Sequence, residues 1–206
     1  MHLSVAGNIG AGKTTLTVLL SRYFGVEAMF EDNEQNPYLM DFYADMQRYS
    51  FHLQISFLQS RLRKLIEIRR EQRSVIQDRT IYEDAQIFAP NLHSMGLMDS
   101  RDFETYTQLF NTFADLVQPP DLLIYLRASL PTLVEQIQNR GRNYEDSIRL
   151  DYLKRLNERY EAWYEAYNYG KKMEINVADL NFRDDPEHLG VIINRVKGEL
   201  GGLFSH

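Results

Sequence analysis

Residues 2–24 read HLSVAGNIGAGKTTLTVLLSRYF. A short apolar run leads into a glycine-rich turn, and the turn opens a segment with apolar residues at helical spacing. Gly7, four residues, then Gly12-Lys13-Thr14 complete the phosphate-loop pattern G-x-x-x-x-G-K-[ST]. Glycines let the backbone curl so that several N–H groups converge on phosphate oxygens, and the following helix adds its positive N-terminal end. A lysine supplies a mobile charge for the β- and γ-phosphates, and a threonine hydroxyl suits Mg²⁺. Gly7, Asn8, Ile9, Gly10, Ala11, Gly12, Lys13, Thr14 and Thr15 are therefore the expected binding loop for ATP.

The same alternation continues along the chain. Four more short β-like runs, EAMFE (27–31), SVIQD (74–78), DLLIYL (121–126) and MEINV (173–177), are separated by long helical segments. Phe51, Ile55, Leu58, Leu62 and Leu65 step by three or four, as do Phe103, Tyr106, Phe110, Phe113 and Val117. Leu153 to Tyr167 and Leu189 to Leu200 repeat the pattern, the last behind Asp185-Pro186. Gly25 suits a helix stop and Gln118-Pro119-Pro120 a break before the fourth strand. The expectation is one α/β domain over 1–206: a three-layer phosphate-loop kinase-type fold with a five-stranded parallel sheet and helices on both faces.

Composition narrows the function. A net charge of −6 argues against a nucleic-acid polymer as partner. Zero cysteines exclude disulfides, thiolate metal sites and iron–sulfur clusters, and fit a reducing cytoplasm. His2, His52, His93, His188 and His206 have no i,i+3 or i,i+4 pairing that points to a transition metal. No apolar stretch approaches the ~20 residues of a membrane helix. MHLSVAGNIGAGK has neither a basic leader nor a cleavage pattern, so no targeting segment and no membrane partner are expected.

The phosphate loop alone does not name a reaction. D-x-x-G and N-K-x-D, the marks of a GTPase switch, do not occur, and a motor needs a longer chain. Small-molecule kinases remain, with the acceptor meeting the γ-phosphate at the carboxyl ends of the strands. Glu31, directly after the second strand, suits the base that takes a proton from an attacking hydroxyl. A phosphorylated acceptor would call for an arginine there, so a Glu favours a neutral alcohol. In QNRGRNYE (138–145), Arg140 and Arg142 flank a glycine. They suit a short lid over 138–147 that neutralises the transferring group and excludes water, although arginine and glycine at a helix end also serve capping. Asp78 is placed for Mg²⁺ and Arg79 for the acceptor oxygen or moving phosphoryl group, with a strand-end salt bridge as the plain alternative.

Together, GNIGAGKTT, Glu31 in EDNEQNPYL, FHLQISFLQSRLR (51–63), QDRTIYEDAQIFA (77–89) and RGRNYE (140–145) resemble the deoxyribonucleoside kinases, the bacterial deoxyadenosine, deoxycytidine and deoxyguanosine enzymes above all. The resemblance runs in order through essentially the whole chain. It implies Glu31 as base on the 5′-hydroxyl, with Arg79 holding that oxygen and Glu31. It implies Tyr43 and Glu145 on the 3′-hydroxyl, and Gln54 on the base edge with Arg61 and Asp84 beside it. Phe51 and Phe88 lie near these positions and fit either the base or a core stripe. Gln54 and Arg61, seven residues apart, share a helix face, and an amide both donates and accepts. Lys13 and Arg140 complete the catalytic set; Thr14 and Asp78 are the metal pair. The expected reaction is transfer of the γ-phosphate of ATP to a deoxynucleoside in nucleotide salvage. Deoxyadenosine comes first, then deoxycytidine or deoxyguanosine, and thymidine is disfavoured.

Two positions depart from the family pattern: its D/E-R-S is Asp78-Arg79-Thr80 here, and Gln136 stands where some relatives carry arginine. A monophosphate kinase such as a thymidylate kinase, and a nucleotide-binding regulatory protein without an acceptor, are the alternatives. The resemblance also implies a homodimer through helix packing.

Overall fold

Five short apolar segments lie side by side in the computed structural model, which describes residues 1–31, 35–114, 116–142 and 148–201. They are β1 (His2–Gly7), β2 (Glu27–Met29), β3 (Val75–Asp78), β4 (Leu122–Arg127) and β5 (Lys172–Asn176), all parallel, in the order β2-β3-β1-β4-β5. These are the five segments expected from the apolar runs. β2 stops at Met29, so Phe30 and Glu31 belong to the loop beyond it.

The helices are α1 (Lys13–Phe24), α2 (Leu39–Ala44), α3 (Met46–Glu71), α4 (Ile81–Glu83), α5 (Ala89–Ser94), α6 (Ser100–Ala114), α7 (Leu130–Arg140), α8 (Leu150–Ala166) and α9 (Pro186–Leu200). A π-helical turn, Asp84–Phe88, joins α4 to α5. None of the described helices is long and apolar enough to cross a membrane.

The period-2 pattern of the strands divides the core in two. Leu3, Val5, Ile76, Ile124 and Ile175 pack with Leu16 and Leu20 of α1 and Ile192 and Val196 of α9. On the opposite face Ala6, Leu123 and Tyr125 pack with Leu58 and Leu62 of α3 and Leu156 and Tyr160 of α8. Helices cover both faces, which is why the strand sequences read as nearly continuous apolar runs.

Register then places the chemistry. Val5 lies opposite Asp78, and the Arg79 N–H continues the ladder to the Val5 carbonyl at 2.9 Å. The chain leaves β1 toward β2 and leaves β3 toward β4, on the other side of β1. The carboxyl ends of β1 and β3 therefore open a crevice at the point where the winding reverses.

The phosphate loop is packed from behind by α7. Gly10 has φ 86°, and a Cβ there would fall 2.8 Å from the Leu133 carbonyl oxygen and 2.9 Å from Ile137 Cγ1. Gly10→Ala should combine left-handed strain with this clash and lower stability by about 2 kcal/mol; the urea-unfolding midpoint measures it.

Candidate active site

Glu31 and Asp78–Arg79 reach the crevice from the ends of β2 and β3, Lys13 and Thr14 from the start of α1, and Arg140 and Arg142 from the end of α7. Leu39, Phe42 and Tyr43 of α2 close one side, and Leu53, Gln54 and Phe57 of α3 line the cleft with Asp84 and Phe88 of the π turn. Counting the part open to solvent, the cleft holds about 700 Å³. A second groove of about 740 Å³ runs over Gly10, Gly12, Lys13, Thr14 and Thr15. Gln136, Asn139, Arg140, Arg142 and Arg183 form its other walls.

Local structure explains the convergence. α3 turns Gln54, Phe57 and Arg61 inward together, because at about 100° per residue Phe57 and Arg61 lie on one side of Gln54 and Phe51 on the other. Phe51 lies half-buried against the core and does not line the cleft, whereas Phe57 and Phe88 do. A tight cap starts the next helix: Thr80 Oγ1 accepts from the Glu83 N–H at 3.2 Å while Glu83 Oε2 accepts from the Thr80 N–H at 2.6 Å. The π turn that follows sets Asp84 and Phe88 on the same cleft wall, consistent with the use of such turns at functional sites.

Two buried guanidiniums organise the floor. Arg61 donates through Nε to Asp84 Oδ2, through Nη2 to Glu31 Oε1, and weakly through Nη1 to the Arg79 carbonyl at 3.5 Å. Arg79 Nε stands 3.3 Å from the same Glu31 oxygen, and its Cζ lies 4.5 Å over the Phe88 ring. Burial works against the Arg61 charge, yet Asp84 and Glu31 beside it leave its pKa raised. Burial pushes Asp84 up to about 6, opposed by Arg61 and assisted by Glu31. Gln54 Oε1 is buried with no hydrogen-bond partner among the described residues. An amide oxygen left so is costly unless something from the cleft satisfies it.

At the phosphate end, the Thr14 hydroxyl donates to Asp78 Oδ2 at 2.5 Å, and Asp78 Oδ1 is buried without a hydrogen-bond partner among the described residues. A hydroxyl touching a partly unsatisfied carboxylate is a donor set that fits Mg²⁺. Lys13 folds back, donating to the Asn8 carbonyl at 2.9 Å. Burial, then the Arg79 charge, lowers its pKa to about 8.

Most of the expected site residues come together, and some do so indirectly. Ile9, Gly10, Lys13, Thr14, Glu31, Tyr43, Gln54, Asp78, Arg79, Asp84, Arg140 and Arg142 line the cleft. Arg61 lies just behind it on Glu31 and Asp84. Ala11 is fully buried in the core. The Asn8 side chain turns away to α8, donating to the Leu153 carbonyl at 3.2 Å and to Asn157 Oδ1 at 3.1 Å. Glu145 and the lid residues 143–147 lie outside the described residues. Sequence reasoning missed Arg183, whose place on the phosphate groove comes from a long return of the chain, and Glu83 and Tyr160, joined across 77 residues.

A match to the deoxynucleoside kinase family covers residues 3–200. The chain belongs to that family. It is 36% identical over 198 residues to the deoxyadenosine/deoxycytidine kinase of Bacillus subtilis (strain 168), covering 94% of this chain and 90% of that one. Identity to the Dictyostelium discoideum deoxyadenosine kinase is 40% over 194 residues, 93% of this chain and 77% of that one. The structure of deoxyadenosine kinase from M. mycoides with bound dATP superposes with a TM-score of 0.84 at 31% identity, covering 96% of this chain and 100% of that one. The deoxynucleoside kinase family consists of phosphotransferases, so this chain is an enzyme of that class and the regulatory and monophosphate-kinase readings fall away.

Asp84 also carries a stability signature. Its folded pKa lies above the unfolded value, so the native state holds the proton more tightly between the ordinary carboxylate value and about 6. In that window its contribution to stability falls as pH rises. Urea unfolding of the protein and of Asp84→Asn from pH 4 to pH 7 should show the stability difference moving in favour of the Asn variant, then levelling off above about pH 6.

Proposed function

We propose that this deoxynucleoside kinase transfers the γ-phosphate of ATP to the 5′-hydroxyl of a deoxyribonucleoside in salvage, with deoxyadenosine preferred, then deoxycytidine or deoxyguanosine. The observation that carries this reading is the Gln54 amide oxygen, buried without a partner among the described residues on a cleft wall that also holds Glu31 and the phosphate-loop residues Lys13 and Thr14. An amide with a buried, unpaired acceptor matches the adjacent donor and acceptor on the pairing edge of adenine. Arg61, tied to Asp84, turns that acid into support for a base bearing an exocyclic amine.

In this reading Glu31 takes the proton of the 5′-hydroxyl as the oxygen attacks, and Arg79 steadies the oxygen and the carboxylate. Tyr43 and Glu145 hold the 3′-hydroxyl, Glu145 from outside the described residues. The backbone of Gly7–Thr15 receives the phosphates, with Lys13, Arg140 and Arg142 against their charge as the lid closes. Arg183 joins the expected residues as a further guanidinium on the donor groove. Thr14 and Asp78 would hold Mg²⁺, which neutralises phosphate charge when bound. The relatives named above support the substrate class, since they are deoxyadenosine and deoxycytidine kinases.

We further place the enzyme in the cytoplasm, as a cysteine-free chain suits, and read it as a homodimer. Ile66 on α3 and Leu116 beyond α6 are exposed apolar residues available to a second copy.

ADP release measured over the four deoxynucleosides and their monophosphates tests the reading: deoxyadenosine should lead, and phosphorylation of monophosphates alone would overturn it. Glu31→Gln should lower turnover by about 10²–10⁴-fold while ATP still binds. A second expectation concerns Lys13. With a pKa of about 8 in the free protein, it is largely neutral at pH 9, and bound phosphate restores its proton. Calorimetric titration with ATP at pH 9, in buffers of different ionisation enthalpy, should report uptake approaching about one proton per site. Lys13→Arg, charged throughout, should abolish it.

A further inference from the structure

Glu83 makes more contacts than its local role requires. The cap with Thr80 uses Glu83 Oε2 alone. The other oxygen crosses to two distant elements: it accepts from the Gly7 N–H at 3.3 Å and from the Tyr160 hydroxyl at 2.8 Å. Arg79 Nη1 lies 3.8 Å from the same oxygen and donates to Tyr160 Oη at 2.7 Å. The carboxylate is fully buried and does not line the cleft.

These contacts converge on the two halves of the reaction. Gly7 opens the phosphate loop, and Glu83 fixes its backbone N–H. Arg79 is held at both ends: its Nε faces Glu31, and its Nη1 is tied through Tyr160 to Glu83. Its backbone, at φ 70°, is in the left-handed region, which a residue with a Cβ seldom enters unless its surroundings hold it there. The N–H groups on either side of that strained residue are both pinned, Arg79 N–H by the Val5 carbonyl and Thr80 N–H by Glu83. Burial pushes the Tyr160 hydroxyl well above its ordinary pKa, so it remains a donor.

We propose that Glu83 is a positioning residue for phosphoryl transfer, setting the phosphate loop and the Arg79 guanidinium relative to one another through Gly7 and Tyr160. The proposal rests on the kinase reading above. A misplacement of about 1 Å at a reacting group is enough to cost about 10²-fold in rate, and Glu83 is the one described carboxylate that touches the loop, the strand-3 exit and α8 together.

Glu83→Gln keeps the shape and can keep the cap, since glutamine serves there too, but it replaces one acceptor oxygen with a donor amide. Tyr160→Phe cuts the link to Arg79 alone. Measured per folded molecule, each should lower kcat by about 10–100-fold with the nucleoside KM little changed, and the double variant should be no worse than the more severe single one. Glu83→Gln should also weaken equilibrium ATP binding by about fivefold, through Gly7. Glu83→Gln melting at a lower temperature while keeping wild-type kcat and ATP affinity would overturn the proposal, as would losses that multiply in the double variant. If Glu83→Gln does not fold, Tyr160→Phe decides alone, and unchanged kcat refutes the link. If the unaltered protein phosphorylates no deoxynucleoside, the kinase reading fails separately, and the ATP affinity of Glu83→Gln still judges the positioning of the loop.

Discussion

The whole site depends on charges buried together at one end of a parallel sheet. Around the cleft floor the buried Lys13, Arg61 and Arg79 face Glu31, Asp78, Glu83 and Asp84, and Arg140 and Arg142 line the same cleft. Such a cluster contributes little stability of its own, since desolvation consumes most of the attraction. What it does is exclude alternatives: each guanidinium has two carboxylates within reach, so moving one side chain leaves another charge uncompensated. Stability comes instead from the two apolar layers, which hold the helices that deliver these side chains.

The layers and the cluster meet at the strand ends. Pairing Val5 with Asp78 puts the acid beside the phosphate loop, and the ladder ends on Arg79, whose backbone is then forced left-handed. The reversal of winding between β1 and β3 keeps helices away from that spot, so the crevice stays open. The π turn after α4 sets Asp84 and Phe88 on the cleft beside Leu53 and Gln54 of α3.

The strands, the long helices and the phosphate loop are legible in the sequence because each is written in a local period: two for a strand, 3.6 for a helix, a fixed spacing for the loop. Glu31, Gln54, Asp78 and Arg79 are legible because they sit at the ends or on the inner face of such elements. The rest depends on partners far along the chain. Glu83 looks like half of a capping box until Gly7 and Tyr160 arrive from 76 and 77 residues away. Phe57, rather than Phe51, faces the cleft because the turn of α3 relative to the sheet is set by packing that no single stretch encodes. Short α2, which delivers Tyr43, has too few residues to show a period.

The character of the acceptor follows from the same charges. Glu31 lies against Arg61 and Arg79, so its carboxylate is held in place by two guanidiniums. An acceptor that carried its own phosphate would have to place that charge beside the Glu31 and Asp84 carboxylates, where like charges repel. A neutral alcohol adds none, and it brings a proton that Glu31 can accept. Gln54 Oε1, unpaired among the described residues, leaves a buried acceptor on the same cleft that an uncharged nucleoside is able to satisfy without adding charge. Asp78, with one oxygen unpaired among the described residues, and the open phosphate groove are then left for the phosphate donor.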